Sequence, residues 1–275
     1  MSVLSPELQA RQMAEKLPLS VALISFNEAD NIARTLTSIV DIAAEIVVVD
    51  SHSGDDTRDI AARFGAKVFE EDWKGHVAQK NSALAKCTQP WVLALDCDEV
   101  VSADLQAAIV GAIRSDMGMG FRVKRRSDYL GKRLRYNWYP DRKLRLVKQS
   151  AQPRWEGYDP HDRLMISGPV GDLDGDLIHY SYKNMEDHFL RLVHYARIAA
   201  NSYYEDGRRF YWYQPVTRSL SAFVKKYLLR AGCLDGMQGL VIAVSSFVYV
   251  FLKYMFLWER QHNARTVTGR QHAPE

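Results

Sequence analysis

The fold is decided by one short stretch in the first half of the chain, Trp91-Val92-Leu93-Ala94-Leu95-Asp96-Cys97-Asp98-Glu99. Five apolar residues in a row, preceded by Pro90 and followed by acidic residues, predict a strand that is buried on both faces. In an open α/β sheet, ligands bind outside the carboxyl ends of the strands. We therefore expect this strand to deliver its acidic residues to a binding crevice.

Two of these acidic residues, Asp96 and Asp98, are two positions apart, so extended backbone directs both side chains to the same side. Neighbouring carboxylates repel each other unless a cation lies between them. Mg²⁺ or Mn²⁺ would supply that charge, and such ions usually bridge to substrate phosphates. The alternative is that D-x-D-E merely begins a loop and caps the next helix, because a bare D-x-D is common. The strands that precede it favour the metal interpretation.

Strands and helices alternate before this stretch. Apolar runs predict strands over 19–25, 45–49 and 66–69, and apolar residues at helical spacing predict helices between them. This alternation is typical of a doubly wound, mostly parallel α/β sheet. Successive strand ends carry Glu28, Asp50 and the Asp96/Asp98 pair. Because G-x-G-x-x-G and the P-loop pattern are both absent from the sequence, a dinucleotide-binding Rossmann domain and a P-loop NTPase are disfavoured.

Composition sets further limits. A chain of 275 residues can bury one large core, or one core with a smaller appendage. The net charge of +3, from 36 basic and 33 acidic residues, does not indicate a nucleic-acid-binding protein. Three cysteines without a C-x-x-C pair argue against a disulfide framework or a zinc site. The first twenty residues contain no apolar run, so we expect no signal peptide and a cytoplasmic location.

The stretch from Arg122 to Lys148 is strongly basic. It holds eleven Lys or Arg residues against two Asp, a local excess of nine, interleaved with Tyr and Trp. One interpretation is a solvated edge hairpin, on which basic residues are common. The interpretation we favour is a surface for phosphorylated acceptors or anionic lipid heads.

The C-terminal segment is apolar. Gly236 to Leu252 is uncharged over seventeen residues, and Tyr254 to Trp258 continues the run. A spanning helix needs roughly twenty apolar residues. The segment is therefore interpreted as a helix lying in a membrane interface, with basic flanks and aromatic anchors, and a buried core helix remains open as the alternative.

Four motifs in order resemble the family 2 glycosyltransferases with the GT-A fold, over about residues 19–115. They are Phe26-Asn27-Glu28, the run from Val47 through Asp50 to Thr57, Gln79-Lys80-Asn81, and Leu95 to Glu99. Later motifs resemble the subgroup that adds glucose, in β-1,4 linkage, to the heptose inner core of lipopolysaccharide: 138–146 (Trp-Tyr-Pro-Asp-Arg-Lys-x-Arg-Leu), 179–182 (His-Tyr-Ser-Tyr), 234–236 (Leu-Asp-Gly) and 251–254 (Phe-Leu-Lys-Tyr).

The resemblance implies roles for individual residues. Glu28 and Asp50 would hold the uridine, and Lys80 would lie near the base or the diphosphate. Asp96 would meet the ribose and the metal, Asp98 would be the main metal ligand, and His179 could complete the coordination. Arg142 and Arg145, in the subgroup motif, would bind substrate. Asp162 would be the general base.

The sequence departs from the family pattern at the following two positions. His161-Asp162 stands where the subgroup usually has His-Glu, so a shorter carboxylate serves the chemistry. His52 stands where relatives tend to have glycine.

Together these features predict an inverting, metal-dependent glycosyltransferase. It would move a hexose, glucose from UDP-glucose, to a lipid-linked glycan acceptor such as the lipopolysaccharide core heptose. We expect Mg²⁺ or Mn²⁺ as cofactor, no nucleic-acid partner, and a peripheral position on the anionic inner face of the cytoplasmic membrane. The alternatives are a nucleotidyltransferase acting on sugar phosphates and a non-enzymatic membrane or nucleic-acid adaptor.

The predicted organisation has four segments. Residues 1–18 form a polar lead-in, 19–115 the nucleotide-sugar-binding α/β half, 116–182 the acceptor and catalytic half, and 183–275 a helical, membrane-associating extension.

Overall fold

The structure is a computed structural model that describes residues 16–157 and 162–270. The chain divides into two compact units: the first comprises Met1–Ser127 and Pro140–Tyr180, and the second Asp128–Tyr139 and Ser181–Glu275. Most of the predicted lead-in lies outside the described residues, as does His161. The hairpin 128–139 groups with the C-terminal helices, which the predicted boundaries at 115 and 182 do not anticipate. The functional division into four segments stays a prediction.

The first unit begins with alternating strands and helices, as predicted. The strands are β1 (Leu17–Ser25), β2 (Ala43–Asp50), β3 (Lys67–Glu70) and β4 (Trp91–Ala94), and the helices between them are α1 (Ala29–Thr37), α2 (Thr57–Arg63) and α3 (His76–Ala85). A short strand that the sequence did not predict, β5 (Glu99–Val101), precedes helix α4 (Ala103–Ser115). Ser102 caps α4, because its hydroxyl accepts a hydrogen bond from the backbone N of Leu105.

Strand order brings the acidic strand ends together. The order β3-β2-β1-β4 is parallel throughout, with β1 between β2 and β4. Side chains of β1 alternate between two cores. Leu19, Val21 and Leu23 pack in the core that includes α1 and α4, whereas Ala22 packs in the core that includes α3. Helices therefore cover both faces, and the predicted α/β class is confirmed.

The remaining strands make the sheet mixed. They are β6 (Gly120–Tyr129), β7 (Lys132–Arg133), β8 (Asp141–Lys148), β9 (Arg154–Glu156), β10 (Arg163–Met165) and β11 (Val170–His179). Strand β8 is antiparallel to both β4 and β6, whereas β11 is parallel to β6 and antiparallel to β5. Leu93 of β4 is paired with Leu146 of β8, so β8 continues the sheet beside the strand that carries D-x-D.

Acidic residues of β11 neutralise much of the basic stretch. Arg122 and Arg126 of β6 pair with Asp172 and Asp176 at 3.0 and 2.9 Å. Lys124 pairs with Asp174 at 3.2 Å. Arg125, Lys143 and Lys148 pair with Asp141 and Asp116. Acidic residues of the folded first unit therefore pair with most of the basic residues of this stretch, although Asp141 was already counted in the excess of nine.

The second unit is largely helical. It contains α5 (Met185–Glu205), α6 (Gln214–Val224), a π-helical segment (Lys225–Leu229), a 3₁₀ turn (Gly232–Asp235) and α7 (Gly236–Arg270). Among the described residues, the helical stretch Gly232–Asn263 is long and apolar enough to cross a membrane. Of its apolar 18-residue part, 28% is buried in the protein. Core helices of soluble proteins can be equally long and apolar. The length and composition of this helix therefore fit both a membrane-associated helix and a buried core helix.

Asp235 fastens the hairpin to the C-terminal helices within the second unit. Its buried carboxylate accepts hydrogen bonds from the backbone N of Arg135, Tyr136 and Asn137 at 3.0, 3.2 and 3.0 Å. Lys132 donates to the backbone O of Asp235 at 2.8 Å. The Leu-Asp-Gly motif at 234–236 thus organises the backbone just before the motif that begins at Trp138.

At the opposite end of β2 from the acidic edge, one buried carboxylate holds four segments of the first unit together. Glu45 accepts hydrogen bonds from Ser20 Oγ of β1 at 2.5 Å and from Lys67 Nζ of β3 at 2.7 Å. The backbone N and the Oγ1 of Thr88, before β4, donate to it at 2.7 and 3.0 Å. Burial alone would raise the pKa of Glu45, but Lys67, Ser20 and Thr88 together lower it to about 2 from 4.5.

We predict that Glu45→Gln destabilises the protein in a pH-dependent way. A lowered pKa contributes stability that is present above the unfolded value and is lost as the pH falls towards the folded value. The variant should lose on the order of 2–3 kcal/mol at pH 7, and this difference should shrink between pH 4.5 and 2. Denaturant unfolding at several pH values measures it.

The matched control is Glu156→Gln, which alters an exposed ion pair with Arg154 and should change stability by less than about 0.5 kcal/mol. An equal effect of the two substitutions would contradict the assignment of Glu45.

Candidate active site

Asp50 ends β2 with a fully buried side chain. Its carboxylate accepts hydrogen bonds from Ser25 Oγ at 2.7 Å and from the backbone N and Oγ of Ser53 at 2.7 and 2.6 Å. Ser25 and Asp50 are partners in the parallel register of β1 and β2. The carboxylate therefore joins two strand ends to the loop after β2, and its contact with uridine stays a prediction.

Glu28 follows β1 and is held against the same loop. Its backbone N donates to Thr57 Oγ1 at 2.8 Å, and its carboxylate accepts from Asn31 Nδ2 at 2.8 Å. The backbone N of Asn27 donates to Ser53 Oγ at 2.9 Å. The loops after β1 and β2 thus form one hydrogen-bonded edge of the crevice.

His52 in this loop has a φ of 59°, in the left-handed region that favours glycine. The structure therefore explains why the family tends to have glycine at this position. The cost for a residue with a Cβ is roughly 1–2 kcal/mol. Here the ring pairs with Asp72 at 2.9 Å and lies 3.5 Å from Glu70, and these contacts hold the loop in its strained conformation.

Asp96 is held by the two cations of the crevice. Arg145 Nη2 lies 2.8 Å from Asp96 Oδ2 and 2.6 Å from Glu99 Oε1, and Lys80 Nζ lies 3.0 Å from Asp96 Oδ1. Burial opposes ionisation of Asp96, but Arg145 and Lys80 hold its pKa well below the usual range. Burial likewise disfavours charge on Arg145, yet Glu99 and Asp96 raise its pKa overall. Asp96 is therefore an anion at every physiological pH.

Lys80 joins this group to the candidate base. Its Nζ lies 2.8 Å from Asp162 Oδ2 and 4.4 Å from the centre of the Trp155 ring. Asn81, the next residue of α3, exchanges two hydrogen bonds with the backbone of Trp155, at 2.8 and 3.0 Å. The result is an alternating chain of charges, Arg145–Asp96–Lys80–Asp162, with Trp155 packed on its lysine.

Asp98 pairs with His179 on another side of the crevice. His179 Nε2 lies 3.2 Å from Asp98 Oδ2, and the backbone N of Tyr180 donates to the backbone O of Asp98 at 2.9 Å. His179 ends β11, where it is the register partner of Glu99 in β5. The unpredicted strand β5 is thus the element that brings the end of β11 to the D-x-D loop.

The predicted metal ligands only partly assemble. Asp98 and His179 are in contact, with oxygen and nitrogen donors that suit Mn²⁺. Both oxygens of Asp96 are instead engaged by Lys80 and Arg145. Within residues 16–157 and 162–270, no group of three or more His, Cys, Asp or Glu residues is arranged to hold a metal.

The pKa of the buried Cys97 thiol reflects how close the acidic strand ends lie to one another. Burial raises its pKa well above the usual value, and Glu28, Asp98, Asp96 and Asp50 raise it further. The carboxylates predicted to meet at one edge of the sheet therefore all act on this one atom.

Arg142 does not join this group. It lies in β8 with an exposed side chain and pairs with Asp172 at 2.8 Å, in the ladder that also contains Arg122. Its predicted substrate contact stays a prediction. Sequence reasoning also missed Trp155 and Glu99. No sequence pattern marks Trp155 as part of the site. Glu99 directly follows the D-x-D motif and was expected in the crevice, but its role as the buried partner of Arg145 was not predicted.

The crevice thus presents a convergent set of carboxylates, a partly exposed lysine and an Asp–His pair at the carboxyl edge of a parallel sheet. Such a site can bind a nucleotide whose phosphates need cationic partners, with a carboxylate across the crevice. A family model described as Glycosyl transferase family 2 matches residues 20–172, more than half of the chain. The chain belongs to this family and is a glycosyltransferase, and the nucleotidyltransferase and adaptor interpretations are set aside.

The chain is also similar to individual proteins. The chain is 29% identical over 260 residues to the lipopolysaccharide core biosynthesis glycosyltransferase LpsC of Rhizobium meliloti, covering 90% of this chain and 94% of the relative. It is also 29% identical to an uncharacterized glycosyltransferase of Rickettsia typhi, covering 87% and 85% of the two chains. Among solved structures, the mannosyltransferase PcManGT of Pyrobaculum calidifontis, in complex with GDP-Man and Mn²⁺, aligns over 92% of both chains with a TM-score of 0.49 and 15% identity.

Proposed function

We propose that the protein is an inverting, metal-dependent hexosyltransferase that moves glucose from UDP-glucose to a hydroxyl of the lipopolysaccharide core heptose. The observation that carries the proposal is the charge chain Arg145–Asp96–Lys80–Asp162, which links the acidic strand ends to a second carboxylate. The kinship with a lipopolysaccharide core glycosyltransferase supports the acceptor class.

The donor would bind at the carboxyl edge of β1, β2 and β4. Glu28 and Asp50 are candidates for the uridine, and Asp96 for the ribose. Lys80, with 12% of its side chain exposed, is the more accessible cation beside Asp96 for a diphosphate, because Arg145 is only 4% exposed. Arg145 then serves mainly as the buried counter-charge of Asp96 and Glu99.

The acceptor hydroxyl has a pKa far above 7 and must lose a proton as it attacks the anomeric carbon. Asp162, held by Lys80, would take that proton as the general base. Direct displacement by the acceptor from the face opposite the diphosphate inverts the anomeric centre.

Asp98 and His179 would hold Mg²⁺ or Mn²⁺, and an imidazole ligand favours Mn²⁺. When bound, the ion would neutralise the charge that develops on the departing diphosphate. The two residues can contribute only two ligands, so donor phosphates and water would supply the rest.

A lipid-linked acceptor would place the enzyme at the inner face of the cytoplasmic membrane. The apolar run from Gly236 to Trp258 is compatible with such a position, as it is with a buried core helix. The basic stretch from Arg122 to Lys148 supports it less than its composition indicated, because the β11 acids pair with much of it.

We predict that Asp98→Asn impairs metal binding. Loss of a charged ligand should weaken Mn²⁺ binding in the presence of UDP and should lower glucosyl transfer on the order of 10²-fold. Mn²⁺ titration followed by electron paramagnetic resonance gives a readout independent of turnover. Asp174→Asn, in the exposed ladder, is the control and should behave as wild type. Unchanged Mn²⁺ affinity of Asp98→Asn would refute the metal assignment.

We predict that Asp162→Asn retains UDP binding but lowers transfer to a heptose-terminated core acceptor by about 10²-fold or more, because the amide cannot accept the proton. Transfer from radiolabelled UDP-glucose and binding of UDP by calorimetry measure the two effects. Wild-type transfer by this variant would mean that the base is another residue. Failure of the wild type to use UDP-glucose would overturn the proposed donor.

A further inference from the structure

The second unit carries a segment, residues 207–234, that combines exposed apolar side chains with an excess of positive charge; Arg208 pairs with Asp206, directly before the segment, at 3.4 Å. It contains six basic residues and no acidic residue. Six basic residues in 28 positions would alone account for more than the net charge of +3 of the whole chain. In this respect the segment differs from the Arg122–Lys148 stretch, where acidic partners from β11 are close.

Several large apolar side chains of this segment are exposed. In α6, Pro215 and Ser219 are buried, whereas Val216 and Leu220, four residues apart and thus on the same face, are exposed. Trp212, just before α6, has 84% of its surface exposed, and Leu229, at the end of the π-helical segment, has 78%. Large apolar side chains exposed in this number along one segment point to an interaction surface.

The basic residues flank this face. Arg218 lies in α6, Lys225 and Lys226 begin the π-helical segment, and Arg230 follows it. Burial lowers the pKa of Lys226, and the neighbouring cations Arg230 and Lys225 lower it further. An anionic surface would relieve the repulsion within this cluster of like charges.

We propose that the 207–234 segment is the surface by which the protein docks on an anionic lipid bilayer, with Trp212, Leu220 and Leu229 entering the headgroup layer. This deepens the proposed function, because a lipid-linked acceptor is held at that surface. Exposed apolar side chains supply burial, and the flanking Lys and Arg residues supply attraction to phosphate heads. A neutral protein partner would match the apolar face but would leave the basic cluster without counter-charge.

The test uses the purified full chain and sedimentation with vesicles of phosphatidylcholine alone or mixed with phosphatidylglycerol. The double variant Lys225→Glu/Arg230→Glu should partition at least about tenfold less onto the anionic vesicles than wild type. The control Arg133→Glu/Arg135→Glu makes the same charge change in the other basic stretch and should stay within about threefold of wild type. Circular dichroism and thermal midpoints establish that each variant is folded.

A second pair of variants separates the apolar contribution. Trp212→Ser/Leu229→Ser should weaken vesicle binding while its dependence on salt remains, because screening acts only on the charges. Equal partitioning of wild type and Lys225→Glu/Arg230→Glu overturns the proposal, as does a wild-type chain that dimerises in solution and stays off the vesicles. None of these measurements needs a donor or turnover, so they can fail while UDP-glucose transfer succeeds.

A separate observation concerns Lys80, whose ammonium pairs with two carboxylates at once. Its ammonium already contacts Asp96 and Asp162, and Trp155 covers another side at 4.4 Å. Trp155 cannot easily move aside, because Asn81 holds its backbone at both N and O. An anion that binds Lys80 therefore competes with these carboxylates for its charge and its three N–H donors. Asp96 also has Arg145 as a partner, so Asp162 is the carboxylate that depends more on Lys80.

We infer that the donor diphosphate and Asp162 compete for Lys80, so that donor binding releases the Asp162 carboxylate to accept a proton. Lys80 is in this sense a positioning residue that couples the donor site to the base. The inference rests on the proposed function, since it requires a nucleotide diphosphate in the crevice.

The test is the affinity for UDP, measured by calorimetry on wild type, Asp162→Asn, Lys80→Met and the double variant. Asp162→Asn should bind UDP at least about threefold more tightly, because its neutral amide no longer competes for the ammonium. In the Lys80→Met background the same substitution should give no gain. A purely structural role of Lys80 would not produce this coupling.

A gain that persists without Lys80, or no gain in Asp162→Asn, overturns the inference while leaving the glycosyltransferase proposal intact. Absence of UDP binding to the wild type overturns both.

Discussion

The site depends on bringing several carboxylates together at one edge of the sheet, and the ion pairs of Arg145 with Glu99 and Asp96 provide the main buried counter-charge. Glu99 is fully buried and Arg145 nearly so. Breaking a buried pair by removing one partner typically costs 3–5 kcal/mol, because a charge is left without compensation. The antiparallel pairing of β4 with β8 sets Arg145 beside the D-x-D loop. The strand pairing that builds the sheet therefore also positions the charges of the site.

The sequence alone predicted the elements whose pattern lies in neighbouring residues, and it missed those that depend on pairing with distant strands. Alternating apolar runs identified β1, β2, β4 and the helices between them, and the Ser102 cap of α4 was visible in the sequence. The convergence of Glu28, Asp50, Asp96 and Asp98 followed from parallel order and is reflected in their common effect on Cys97. Strand β5 is only three residues long and has no pattern of its own, because its place is set by pairing with β11.

Charge compensation was the part that the sequence could not show. The acids of β11 lie about 50 residues after the basic residues of β6, and only the parallel pairing of the two strands sets Asp172 opposite Arg122. Composition over a window counts charges but not their partners. The same limit applies to Asp96, whose neighbours in sequence indicated a metal ligand, whereas its neighbours in space are Lys80 and Arg145. The 207–234 segment is a different case, since it contains six basic residues and no acidic residue, and Arg208 pairs with Asp206, directly before it, at 3.4 Å.

The contact between Asp235 and the 135–137 backbone also has a consequence for biosynthesis. Asp235 is 100 residues beyond Arg135, and both belong to the second unit. At about 5–20 residues per second, a ribosome needs roughly 5–20 seconds to reach the aspartate after the hairpin has been made. During that interval three backbone N–H groups lack the acceptor that they have in the folded protein. The hairpin therefore stays solvated and accessible to chaperones during this interval. The strands of the first unit that precede it in the chain can already pair.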